Sequence, residues 1–230
     1  ELYREFCLRT SDLPIFMQDW WMDAVCAGKQ WDVLLSFNED GSIQAALPYL
    51  LSKRLWMRYI VMPQQTQIGG IWMSKEVANN PEKVSSICCQ FVEQLAALKL
   101  HYYYQHYPIH STAIEAMCAQ GFKTKERITY RIEDLSDLDK VINAFSKNKK
   151  RQLQKALSLH VDMNMTVEDF YRFHTQCLQN QDKHISYTRE FLLVLERKAH
   201  RLNQCQILSI CNADNEVLAA AFLVWDQHSM

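Results

Sequence analysis

The sequence predicts an α+β fold of mixed, mainly antiparallel sheets flanked by helices, built as two similarly ordered halves. Three observations predict it. Capped segments with apolar residues at helical spacing recur along the chain. Its strand-like runs come as hairpins around acidic turns rather than alternating with helices. Helices lead and an antiparallel meander follows in each half. At 230 residues the chain exceeds the usual size of one domain, and we place the expected boundary between residues 144 and 145.

Taken in order, LPIFMQDWWMDAVCAGKQ reads as the first helix, with Pro14 in its first turn and Gly28 at its stop. WDVLLSF and SIQAALPYLLS form a hairpin around Asp40-Gly41, and Leu55 to Met62 gives a further strand. The polar stretch PQQTQIGGIWM, with Gly69-Gly70, either brings backbone close to a ligand, Gln67 being its candidate contact, or is an ordinary turn. Asn80-Pro81 is a helix start, with Asn as cap and Pro at the first helical position, and that helix runs to about Leu100. HYYYQHYP returns as a strand. A short helix closes at Gly121, and KERITYRIEDL alternates as a strand with Ile128, Tyr130 and Ile132 on one face.

The second half opens on a capped helix from Ser136 and then on FSKNKKRQLQKAL, residues 145–157, in which five positions are basic and none acidic. On a helical wheel Leu153, Ala156 and Leu157 fall on one side, so one face packs while the other is strongly positive. Such a face is either solvated or meets an anionic partner. A strand from Val161, helices capped by Thr166 and Thr188, and the strands QCQILSICN and VLAAAFLVW around ADNE complete the chain.

Composition narrows the function. The formal net charge of -1 leaves no global field, so attraction for phosphate must be local. Only five glycines occur, none after residue 121, where average usage of about 7% predicts roughly sixteen. That argues against dinucleotide-binding and Walker loops, which need glycine for close approach to phosphate. The eight cysteines lack metal-ligand spacing, and His101 and His106 point to opposite faces of a strand, so no metal is expected. Free thiols and the lack of an apolar run of about 18 residues suggest a cytoplasmic protein without a membrane partner.

Four stretches carry a family resemblance: FSKNKKRQLQKA, EDFYRFH, ISYTREFL and AAAFLVWD. With LPIFMQDWW, ALPYLL and MPQQTQIGG, they resemble GNAT-superfamily acetyltransferase-like proteins related to the bacterial Fem (FemAB-like) aminoacyltransferases of peptidoglycan-bridge synthesis. The resemblance implies two tandem GNAT-like domains, 1–144 and 145–230. The second is C-terminally incomplete, because the loop that holds CoA would lie beyond Met230. It implies an N-acyltransferase using acetyl-CoA or another acyl-CoA, with a small molecule or a cell-wall precursor as amine acceptor. Such a fragment is expected to be inactive or nearly so. The alternatives are an aminoacyl-tRNA-dependent ligase, with tRNA as partner, and a binding module without catalysis.

Carried over by residue, Asn148, Arg151 and Lys155 match the family pattern at the start of the second domain. Arg151 either holds a phosphate or carboxylate in bidentate fashion or bridges structure. Asp226, beside Trp225, either orients the acceptor amine or ends its strand, and Tyr187 is a further candidate. Catalytic residues stay unassigned. The strand from Val217 to Trp225 would have an unpaired apolar edge, a template for a homodimer.

Overall fold

The computed structural model describes residues 1–26 and 28–227 of the chain. Contacts group these residues into two compact units, one holding Glu1–Thr124, Ser186–Cys205 and the C-terminal residues from Val224, the other Lys125–Ile185 and Gln206–Leu223. The grouping follows packing rather than chain order, so residues 186–205 belong with the N-terminal unit although they lie after position 145.

The first unit begins with α1 (Leu2–Arg9), which the sequence reading passes over. The predicted first helix is two pieces, a 3₁₀ turn at Ile15–Met17 and α2 (Asp19–Val25). Gln18 separates them in an extended conformation, its amide donating to the Leu13 carbonyl at 3.1 Å and its Oε1 accepting from Trp20 Nε1 at 2.6 Å. Side-chain hydrogen bonds thus replace helical ones at the break, a competition that apolar spacing does not register.

The sheet follows with β1 (Trp31–Phe37), β2 (Ile43–Arg54), β3 (Met57–Val61) and β4 (Trp72–Met73). β1 and β2 pair antiparallel with Leu34 opposite Leu47. Gly41 takes a φ of +82° in the turn, which suits glycine. The helices α3 (Lys75–Ala78) and α4 (Pro81–Ala97) come next, and the Asn80 side chain caps α4 by accepting from the Glu82 and Lys83 amides at 3.1 Å. Its buried stripe, Val84, Ile87, Cys88, Phe91 and Leu95, joins Leu47, Tyr49 and Ile60 of the sheet in the main core. β5 (Tyr102–Tyr103) is short and pairs parallel to β3, and α5 (Ala113–Ala119) ends before Gly121.

The Gly69-Gly70 stretch is packed against the protein's own chain. Gly70 N–H donates to Gln105 Oε1 at 2.6 Å and Gly69 N–H to the His106 carbonyl at 2.7 Å. A Cβ on Gly70 would lie 2.7 Å from the Tyr107 ring, so glycine is required there for internal packing.

In the second unit the predicted strand at residues 125–135 is absent. These residues form no ladder, and Ile128 and Tyr130 are 90% and 96% exposed. Alternation makes a strand only when another strand supplies the hydrogen bonds, and none does here. α6 (Leu138–Ala144) follows, capped by Asp137 rather than Ser136, then α7 (Lys147–Ala156), β6 (His160–Asp162) and α8 (Val167–Gln179), capped by Thr166.

The chain then supplies α9 (Arg189–Arg201), capped by Thr188, to the first unit, where it packs against α2. β7 (Cys205–Cys211) and β8 (Val217–Val224) finish a three-stranded sheet of order β6-β7-β8. Among the described residues the architecture is mixed α and β with two sheets. No helix among the described residues is long and apolar enough to cross a membrane.

Candidate functional site

α7 begins at Ser146, whose hydroxyl accepts from the Lys149 amide at 3.3 Å. Ten residues follow with five cations and no acid, KNKKRQLQKA. The expected packed face is not found: no residue of α7 is buried, Leu153 being 37% exposed and Leu157 71%. Two leucines and an alanine make too narrow an apolar stripe to hold such a helix down.

Asn148, Arg151 and Lys155 all lie on this exposed helix. Lys150 Nζ donates to the Asn143 carbonyl at 2.9 Å. Among the described residues, none of the cations Lys147, Lys149, Lys150, Arg151 and Lys155 has a carboxylate within ion-pair distance. Five like charges held on three turns repel one another, and an anion that meets several of them relieves that repulsion.

The remaining candidates belong to the first unit. Asp226 Oδ2 accepts the Ile15 backbone N–H at 3.0 Å, so the side chain expected to orient an acceptor amine is engaged in capping the 3₁₀ turn. Trp225 donates its backbone N–H to the Gln204 carbonyl at 3.0 Å, continuing the β7-β8 pairing. The Tyr187 ring lies 5.9 Å from that of Phe191 at the start of α9, the two planes tilted by 45°. Gln67 is exposed, and its carbonyl meets His106 Nδ1 at 3.0 Å. The preceding turn is tied to the same region by a hydrogen bond from Gln64 Nε2 to the Ser186 carbonyl.

Two features escape the sequence reading. Asp23 on α2 accepts from Arg4 at 2.8 and 2.9 Å, from Trp31 Nε1 at 2.9 Å and from Lys198 of α9 at 3.3 Å. The Arg4 hydrogen bonds lead in holding its carboxyl down to about 2, against the cost of burial. Three separate segments converge on it, and no local motif announces that.

The second is an open cleft of about 490 Å³ in the second unit, lined by Asp162, Asp169, Arg172, Gln176 and Ser209 among others. Its charged groups are occupied internally: Arg172 pairs with Asp169 at 3.0 Å, Thr166 donates to Asp169 at 2.7 Å, and Asn164 donates to Asp162 at 2.8 Å. Through α7, therefore, the second unit offers unpaired positive charge, whereas its cleft offers groups already satisfied.

Among the described residues no cluster of three or more His, Cys, Asp or Glu could hold a metal ion. Burial raises the thiols of Cys88 and Cys205 to about 11 and that of Cys26 to about 12, which leaves them protonated and poor nucleophiles near neutral pH.

No protein-family model and no curated protein matches the chain. Among solved structures, the crystal structure of FemX is similar with a TM-score of 0.61 at 12% sequence identity, covering 91% of this chain. The chain spans 56% of the length of FemX. At this identity the likeness is one of fold, and the chain has a fold similar to that of FemX.

Proposed function

We propose that this chain is part of a transferase that moves an aminoacyl group from aminoacyl-tRNA to an amine acceptor, with a cell-wall precursor as the acceptor class. The observation that carries the reading is α7, whose five cations have no carboxylate partner among the described residues. The likeness in fold to FemX supports it. A phosphodiester backbone can be held by spaced lysines and one arginine fork, which is what α7 offers.

In such a transfer the acceptor amine attacks the ester carbonyl carbon. A C–N bond forms, the C–O bond to the ribose breaks, and the ammonium proton passes through a base or water to the departing oxygen. Holding both substrates in line and hydrogen-bonding the developing oxyanion supply the rate. Within this scheme α7 binds and orients the donor, and Arg151 is the residue suited to bidentate phosphate contact.

The second reading keeps acyl-CoA as donor, because α8, α9 and the β7-β8 hairpin follow the order expected of an acyltransferase core. Fluorescence anisotropy with tRNA and calorimetry with acetyl-CoA separate the two. We expect tRNA binding whose log K falls with log salt at about 0.7–0.9 per contacted phosphate, weakened by Arg151→Ala. Heat from acetyl-CoA without tRNA binding reverses the assignment. Silence in both assays leaves a binding module without catalysis.

A further inference from the structure

We infer that the hairpin tip between β2 and β3 is a membrane-contact element, which sets Leu55 and Trp56 into the interfacial layer of an anionic lipid surface. The inference is independent of the transferase reading. Arg54 pairs with Met57, so Leu55 and Trp56 form the two-residue turn. Such turns favour asparagine and glycine, which accept a positive φ. Here Leu55 takes a φ of +55° and is 90% exposed, with Trp56 73% exposed beside it. Leucine at this position adds strain and leaves its apolar side chain in water, so the folding of the hairpin does not explain it.

Charge selects the partner. From Gly41 to Lys75 the chain holds four basic residues and no acidic one. Three of the four, Lys53, Arg54 and Arg58, flank the tip, and Lys53 stands directly opposite Arg58. Like charges so opposed repel, and among the described residues none of the three has a carboxylate within ion-pair distance. On the neighbouring segment His101 lies edge-on to the Trp56 ring, with centroids 5.0 Å apart, and its Nδ1 accepts the Arg58 backbone N–H at 3.2 Å. Tyr102, the next residue, is exposed. Tryptophan and tyrosine beside lysine and arginine are the residues that sit at headgroup level, where the cations meet lipid phosphates and the rings enter the acyl boundary. A nucleic acid satisfies the charges and stacks on Trp56, but it offers Leu55 no apolar layer. A contact of this kind lies on the surface and needs no spanning helix.

Flotation of the chain with vesicles of mixed phosphatidylglycerol and phosphatidylcholine tests it, with phosphatidylcholine alone as the neutral control. We expect binding to the anionic vesicles that weakens with salt. Lys53→Gln and Arg54→Gln should each weaken it about fivefold, and Trp56→Ser at least about tenfold. Leu55→Asn supplies a residue suited to the positive φ, so Tm should hold or rise while vesicle binding falls. The cations of α7 attract the same lipids, so insertion of the tip is read separately. Brominated lipid should quench the tryptophan fluorescence of the parent and of Arg151→Ala, and quench Trp56→Phe markedly less. No binding at low salt overturns the inference. So does binding that Leu55→Asn and Trp56→Ser leave unchanged, or quenching that Trp56→Phe retains in full. Tip variants that lose tRNA binding with no change on vesicles overturn it in favour of nucleic acid.

Discussion

The Asp226 carboxylate accepts the backbone N–H of Ile15 at 3.0 Å, joining residues 211 positions apart. Pro14 precedes that N–H and has no side chain able to cap the 3₁₀ turn, so a carboxylate from the far end of the chain does so. Asp226→Ala should cost about 1 kcal/mol, as loss of a helix cap does, lowering Tm by about 2–4 °C for a chain of this size. Thermal denaturation followed by circular dichroism checks this. An unchanged Tm would mean that this cap adds nothing to stability.

Asp23 gathers Arg4, Trp31 and Lys198 around one carboxylate, held down to about 2. Its folded pKa lies below its ordinary value of 3.8. The stability it contributes is therefore present above about pH 4 and disappears as pH falls from there toward 2. Urea midpoints measured between pH 5 and pH 2.5 should drop less in Asp23→Asn than in the parent. Lys198→Ala, which removes the longest of these contacts, should have the smaller effect at neutral pH.

Gly70 combines a φ of +85° with a Cβ direction that ends 2.7 Å from the Tyr107 ring. Gly70→Ala should therefore destabilise by about 2–4 kcal/mol, strain and overpacking adding together. Gln105→Leu leaves the Gly70 N–H without its acceptor and should cost about 1–3 kcal/mol. Chemical denaturation of both variants distinguishes a packing role for this turn from ligand contact, since ligand contact alone predicts little loss in either.

Leu153 and Leu195 are both leucines at helical spacing, yet one is 37% exposed on α7 and the other 3% exposed on α9. Leu153→Ala should change stability by less than about 0.5 kcal/mol, whereas Leu195→Ala should cost about 2–4 kcal/mol. Equal losses in the two would mean that α7 has a packed face after all.

What the sequence discloses is local. Asn80 before Pro81, Thr166 and Thr188 before their helices, and Asp40-Gly41 between β1 and β2 declare themselves because caps and turns are settled within a few residues. Residues 125–135 mislead because alternation describes a strand that still needs a neighbour. Gln18 breaks a helix through bonds to Leu13 and Trp20 that no apolar period encodes. Of the candidate site, the cations of α7 are visible as composition. The occupation of Asp226 and the convergence on Asp23 depend on residues far apart in the chain and appear only in three dimensions.

The packing of α9 on α2 makes the first unit discontinuous along the chain. A protease cutting the exposed stretch 125–135 would sever every covalent link between α2 and α9 and leave their buried contact and the Lys198–Asp23 pair in place. The nicked protein should migrate as one species in native gel filtration and as two bands after denaturation. The same discontinuity sets the timing of synthesis. A nascent chain released up to residue 124 lacks the helix that packs on α2, so α2 stays incompletely covered until residues 189–201 have emerged.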